Sequence, residues 1–236
     1  MRKHVLIVTG LVVAISAGLV ALLLNTRLLP PEAAAEAPPV DRIFYWMLMV
    51  AAVIFALCLV TMVYSAIVFR RRRGDATEGP LWYGHNGLEI TWTVIPLIIV
   101  MFFSVYGAKV LAQTTRPSGP IPDVQVTVTA SQWSWRFEYP DYKITASELR
   151  LPVNRPVLLR LHATDVIHSF WVPEFRPKQD AVPGLETFLR VTPDRIGDFK
   201  VQCAEMCGFA HAYMVAPVKV VDQAAFDQWV KEQQQK

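Results

Sequence analysis

The sequence predicts a membrane-anchored all-β protein, in which a transmembrane helical hairpin plus an N-terminal hydrophobic segment leads into a β-sandwich or barrel with a short C-terminal helix. Three observations carry this. Of 236 residues, 53% are hydrophobic and 18% charged, too apolar a balance for an ordinary soluble domain, so part of the chain must be solvated by lipid. Three uncharged stretches, residues 5–26, 43–69 and 90–108, are each long enough to cross about 30 Å of hydrocarbon at about 1.5 Å per helical residue. From residue 124 onward, apolar positions recur every second residue, the period of a half-buried strand.

Charge orients the helices. Residues 1–112 contain nine basic and six acidic side chains and residues 113–236 contain fourteen of each, so the surplus belongs to the membrane part. Arg2 and Lys3 precede the first stretch, and Arg70, Arg71, Arg72 and Arg73 follow the second. The positive-inside rule puts both clusters in the cytoplasm. The third span then runs outward and delivers residues 113–236 to the extracytoplasmic side, the topology of a multi-pass protein of a prokaryotic plasma membrane. The even charge of that domain excludes nucleic acid as a partner and leaves membrane lipid and other proteins.

Residues 1–27 read either as a retained span or as a signal peptide, because a basic start, an apolar stretch and the run Ala33-Ala34-Ala35 fit both. Residues 28–41, rich in Pro and Ala, read as an extended linker. Residues 42–112 form the hairpin, whose polar turn over 74–88 carries Gly74-Asp75 and Gly79-Pro80. Pro96 inside the third span predicts a kink, its freed carbonyl satisfied locally or by neighbouring helices.

Residues 113–236 form the exported domain. After a linker over 113–122, Val124, Val126 and Val128 alternate with polar residues, as do Val157, Leu159 and Leu161, so both runs predict strands. Further strands are predicted over 133–139, 186–191, 198–202 and 214–221, divided by Pro, Gly and Asp at sandwich spacing. Asp222 predicts an N-cap for a closing helix over 223–234, with Phe226, Trp229 and Val230 turned toward the sandwich.

The chemistry lies in Cys203-Ala-Glu-Met-Cys207-Gly-Phe-Ala-His211-Ala-Tyr-Met214. Two thiols, an imidazole and a thioether within twelve residues make a soft donor set suited to copper; a single cysteine with an upstream histidine would be the mononuclear arrangement of a cupredoxin. Two thiolates can bridge a pair of copper ions, each capped by one histidine, so that one electron is shared and geometry changes little on transfer. That is electron-transfer chemistry, not hydrolysis. A Cys203–Cys207 disulfide, which an oxidising compartment favours, would leave the spacing of His211 and Met214 a coincidence. Zinc has little use for a thioether. Cys58, inside a span, reads as a small apolar residue. The second imidazole comes from outside the loop, and spacing leaves His162, which continues the strand over 157–161, and His168, which opens the next segment, both open.

The run Asp165-Val-Ile-His168-Ser-Phe-Trp-Val-Pro173, with Lys178-Gln-Asp180-Ala-Val-Pro183-Gly184, the aromatic strand Gln132-Trp133-Ser134-Trp135 and the cysteine loop, closely resembles subunit II of cytochrome c oxidase, over residues 40–230. The resemblance implies a cupredoxin-like domain with a CuA centre of two copper ions. Position by position, Cys203 and Cys207 bridge the metals, His168 and His211 cap them, Met214 is a weak ligand and Glu205 offers its backbone carbonyl. It further implies a magnesium ion at the boundary with subunit I, held by the Glu205 carboxylate with Asp180 nearby, where a solvated loop Glu is the plain alternative. Trp133 matches the residue through which electrons arrive, although a strand Trp is ordinarily core. Glu89, at the start of the third span, matches a proton entrance to a partner's channel; a helix N-terminal acid complementing the macrodipole is the bland reading.

The resemblance thus implies an oxidoreductase subunit that accepts electrons from cytochrome c and passes them to haem in subunit I, a separate chain in which oxygen is reduced. Quinol-oxidising relatives lack the copper ligands, which these residues retain. Glu138, Asp141 and Asp165 are candidates for docking a basic cytochrome. Alternatives are the copper subunit of a nitric oxide reductase, or a free-standing membrane-anchored cupredoxin carrier, which would have no use for Glu205 or Glu89 in these roles.

Overall fold

Long apolar helices and short alternating strands divide this chain into two compact units, residues 1–28 with 42–108 and residues 29–41 with 109–236. A computed structural model describes residues 2–71, 73–79, 81, 83–115 and 124–235. Arg72, Pro80 and residues 116–122 of the second predicted linker lie outside them.

In the first unit, α1 (Arg2–Asn25) and α2 (Ala37–Val68) begin ahead of the first two predicted stretches and end one residue short of them, and α3 (Asn86–Thr115) extends past both ends of the third. Their 24, 32 and 30 residues exceed the roughly 20 that a bilayer core requires. Large apolar side chains such as Leu22, Phe55, Met62 and Ile98 stand exposed on them, as a surface meant for lipid or other spans demands. His4 Nδ1 lies 2.7 Å from the Tyr64 hydroxyl and ties the start of α1 to α2. Helix α3 runs through Pro96.

In the second unit, ten strands occur among the described residues: β1 (Val124–Ser131), β2 (Ser134–Tyr139), β3 (Ile144–Ala146), β4 (Leu149–Pro152), β5 (Val157–Ala163), β6 (His168–Trp171), β7 (Lys178–Ala181), β8 (Thr187–Val191), β9 (Gly197–Cys203) and β10 (Val215–Val221). They form two five-stranded sheets, ordered β3-β2-β1-β5-β8 and β4-β10-β9-β6-β7. Most pairs are antiparallel, but β1 runs parallel to β5 and β10 parallel to β4, the crossed pairing that makes a sandwich more than a meander. The alternating residues Val126, Val128, Leu159 and Leu161 are fully buried, with Phe137, Val201 and Val218. Helix α4 (Gln223–Gln234) closes the domain. Asp222 caps it by accepting the Ala225 N–H at 2.8 Å, and Phe226 and Trp229 pack on Tyr139.

The short strands β3, β4, β6 and β7 carry little alternation. His168-Ser-Phe-Trp171 is buried at three successive positions, and Lys178-Gln-Asp-Ala181 is mostly polar. Pairing with neighbours, not propensity, makes them strands.

Where composition predicts an extended linker over residues 28–41, the structure has a strap laid against the sandwich. Ala33 donates to Glu174 O at 3.0 Å, Ala35 to Thr192 O at 2.9 Å, and Asp194 to Ala33 O at 3.2 Å. Ala33 and Ala34 are wholly buried, since a methyl group lets the backbone lie close to the domain. Helix α2 then starts at Ala37, with Pro38 and Pro39 in its first turn, where a missing N–H costs nothing. Arg176 locks the strap. Its guanidinium meets both oxygens of Asp41 at 2.6 and 2.8 Å and donates to Pro30 O and Pro173 O, each at 2.6 Å. Burial and the neighbouring Asp41 carboxylate raise the Glu32 carboxyl above its ordinary value.

We predict that Arg176→Ala, which strands a buried Asp41 without its cation, costs about 3–5 kcal/mol. Denaturant unfolding of the detergent-solubilised chain, followed by tryptophan fluorescence, measures the loss. Limited proteolysis should then cut within residues 29–41 before the sandwich unfolds, and a strap as resistant as in the unaltered chain would refute the lock.

Candidate metal centre

Strands β9 and β10 pair up to Gln202 and Val215, and the residues between them form one loop. Its neck is closed by the Cys203 N–H donating to Met214 O at 3.1 Å. Within it, the Gly208, Ala210 and His211 carbonyls accept from the N–H groups of His211, Tyr213 and Met214 at 3.1, 2.9 and 3.2 Å. This tight 3-10 turn over His211–Tyr213 folds the imidazole back toward Cys207. The fourth element is β6, whose pairing of Phe170 with Cys203 sets His168 beside the loop.

The result is a cluster of soft donors. Cys203 Sγ and Cys207 Sγ are 3.7 Å apart and unbonded, well beyond the ~2.05 Å of a disulfide. Cys203 Sγ lies 3.8 Å from His168 Nδ1 and 3.2 Å from Glu205 O. Cys207 Sγ lies 3.4 Å from His211 Nδ1 and 3.8 Å from Met214 Sδ. The arrangement repeats itself, each thiol having one imidazole nitrogen and one weaker donor at its side. His168 and Met214 are fully buried and the two cysteines nearly so. His168, Cys203 and Cys207 each direct a ligand atom to one place, all within 4.8 Å of one another. Two thiols, two imidazoles, a thioether and a carbonyl in a desolvated pocket fit copper far better than a hard cation.

A second layer surrounds these donors, and sequence reasoning missed part of it. The Trp133 indole N–H and the Gln132 carboxamide converge on Cys207 O at 3.2 and 2.8 Å. Gly208, at φ +115°, lies so close that a Cβ there would sit 3.0 Å from Gln132 Nε2 and 3.3 Å from Trp133 Cζ2. Both its left-handed backbone and this approach require glycine. Trp135, from β2, donates to Met214 O at 3.4 Å and stands edge-on to His168. Asp165 accepts from His168 Nε2 at 2.9 Å, Val166 N–H at 2.7 Å and Gln132 N–H at 2.6 Å. Burial works to raise the Asp165 carboxyl, but these donors outweigh it and hold the group below the usual carboxylate range. Gln132 stands in the aromatic strand that carries the resemblance, but nothing local assigns its carboxamide a role, because its partner is 75 positions away.

The remaining predicted residues fall as follows. His162 bonds Thr129 Oγ1 at 3.2 Å on β5 and takes no part in the cluster. The Glu205 side chain is exposed, as is Asp180, which pairs with Ser169 on β6; Ser169 O in turn accepts the Ala204 N–H at 2.9 Å, so Asp180 is one strand from the loop. Trp133 is 38% exposed, reaching from Cys207 O to solvent. Glu138 faces Arg136 at 3.9 Å, Asp141 lies in a 3-10 turn after β2, and Asp165 is engaged internally. In the first unit, Glu89 Oε1 accepts the His85 N–H at 3.1 Å, the reach-back of a helix-capping acid.

The family model described as cytochrome c oxidase subunit II, periplasmic domain, matches residues 144–221, and the corresponding transmembrane-domain model matches residues 20–110. Cytochrome c oxidase subunit 2 of Thermostichus vulcanus is 34% identical across 88% of this chain and 79% of that protein. This chain belongs to the cytochrome c oxidase subunit II family. The relatives also include quinol oxidase subunit 2 of Bacillus cereus, 29% identical over 87% of this chain and 71% of that one. Among solved structures, the periplasmic domain of subunit II of the Bradyrhizobium japonicum cytochrome oxidase is 31% identical, covering 49% of this chain and 96% of that domain with a TM-score of 0.47.

For this member of the subunit II family, metal uptake must be a proton-releasing event. Burial and the adjacent Cys203 thiol push the Cys207 thiol up to about 11, so in the metal-free protein it keeps its proton through the neutral range, whereas the thiolate is the ligand. We predict that loading with copper releases protons and that the apparent copper affinity falls as pH is lowered. Chelator competition at mildly alkaline and mildly acidic pH reads this directly, and equal affinities at both would contradict it.

Proposed function

We propose that this chain is the electron-input subunit of an aerobic terminal oxidase. It accepts electrons from a cytochrome c at a binuclear CuA centre and passes them to haem in the catalytic subunit I. The observation that carries the reading is the doubled donor set, two thiols 3.7 Å apart with an imidazole nitrogen beside each. When bound, the copper pair supplies a one-electron carrier. The chain's part is to bury that pair, fix its donors on a sandwich and leave one edge reachable.

Trp133 is that edge, with its N–H on Cys207 O and part of its ring in solvent. The full donor set favours a cytochrome c donor over a quinol. The apolar faces of the helices suit packing against other oxidase subunits and lipid. Glu205 and Asp180, both exposed, suit a magnesium site completed by subunit I. Glu89 remains the proposed proton entrance, its capping bond to His85 being one that a partner subunit would have to compete with.

Copper analysis and electron paramagnetic resonance of the full chain test the centre. Two copper ions per chain and one unpaired electron shared by equivalent nuclei are expected, with Cys203→Ser abolishing the sharing. A single-copper signal, or a chain that retains only zinc, sinks the binuclear reading. Trp133→Phe should slow electron uptake from cytochrome c several-fold while leaving copper content unchanged; uptake at the original rate would remove Trp133 from the path.

A further inference from the structure

Asp165 has the sequence character of a surface acid, and the structure gives its oxygens other work. Oδ1 takes the His168 Nε2 contact at 2.9 Å and the Val166 N–H at 2.7 Å, while Oδ2 takes the Gln132 N–H at 2.6 Å. Three donors engage the two oxygens. Resting on the copper reading above, we propose that Asp165 is a positioning residue that fixes the tautomer of His168 and clamps the Gln132–Trp133 turn onto the centre, so that the copper cap and the electron-arrival edge move as one body.

The tautomer follows from burial. His168 is wholly buried, and a buried ring N–H without an acceptor is costly. Asp165 is the acceptor that faces Nε2, so the proton resides there. Nδ1 is then left with a lone pair on the side of Cys203 Sγ, 3.8 Å away. The opposite tautomer would set a lone pair against a carboxylate and a proton toward the position a metal needs. A carboxylate behind a ligating histidine also raises the basicity of that ligand. Among the described residues, His162 has its ring nitrogen at the Thr129 hydroxyl and no such carboxylate behind it.

The clamp follows from the turn's two attachments. From the His168 side, Asp165 holds the Gln132 backbone. From the thiol side, Cys207 O receives both the Gln132 carboxamide and the Trp133 indole N–H. The tip of the β1–β2 hairpin is therefore pinned to ligands from β6 and from the β9–β10 loop at once. Loss of the carboxylate frees one attachment and leaves the other.

The test compares Asp165→Asn with Glu148→Gln, which removes one negative charge elsewhere on the domain beside Arg150 and Lys219. In the copper-loaded full chain, Asp165→Asn should raise the reduction potential, lower copper affinity roughly 10–100-fold and alter the His168 nitrogen hyperfine coupling, with Glu148→Gln changing none of these. Unaltered potential and affinity, or a change only in the salt dependence of cytochrome binding, would overturn the proposal. Nitrogen NMR of the unaltered, metal-free chain gives an independent readout: His168 should carry its proton on Nε2, and a proton on Nδ1 would refute the assignment even if the variant failed to fold. That measurement needs no copper, so a failure of the binuclear reading is told apart from a failure of this one.

Discussion

The backbone hydrogen bond from Cys203 N–H to Met214 O, 3.1 Å long, closes the loop on which everything else at the metal centre depends. It continues the β9–β10 ladder by one step, so the first and last donors of the loop leave the sheet at a fixed separation. Between them, ten residues have only to turn twice. A glycine in the left-handed region at 208 makes the first turn and the 3-10 turn at His211 the second. Without the closed neck, two thiols in an oxidising compartment would be free to approach to bonding distance; held on the sheet, they stay apart with an imidazole beside each.

Rigidity here serves electron transfer. A carrier that gains and loses one electron works best when the groups around it need not move, and three of the donors in this domain are backed by partners of their own. His168 has Asp165 and the edge of Trp135, Cys207 has the two donors on its carbonyl, and Met214 has the Trp135 N–H on its own. The same desolvation that raises the Cys207 thiol in the metal-free protein keeps water from the centre once a metal has displaced the proton.

How much of this was legible in the sequence depends on the range of each interaction. Lipid-facing helices announce themselves by composition, and the long alternating strands β1, β5 and β10 by period. Asp222 and helix α4 follow from local capping chemistry. Four of the donors lie within twelve residues, so their convergence needed no fold. His168 differs: alone, it could not be separated from His162, because the choice depends on the β6–β9 pairing and on which side of the sandwich each ring lies. Gln132 and the clamping role of Asp165 were hidden for the same reason, their partners being 33 and 75 positions away. Asp165 was read as a docking acid because a carboxylate in a loop looks free until its donors are known.

The strap carries the same lesson into the membrane part. Ala33-Ala34-Ala35 fits the small-residue signature of a signal cleavage site, and composition alone gives no reason to prefer another use for it. In the structure, Ala33 and Ala34 are buried in the sandwich core, and both Ala33 and Ala35 bond the backbone of distant loops. A cut within this run would take buried methyl groups and ladder-like hydrogen bonds out of the domain and separate Pro30 from Asp41, the two strap residues that Arg176 joins. The small residues are therefore explained by close packing against the copper domain.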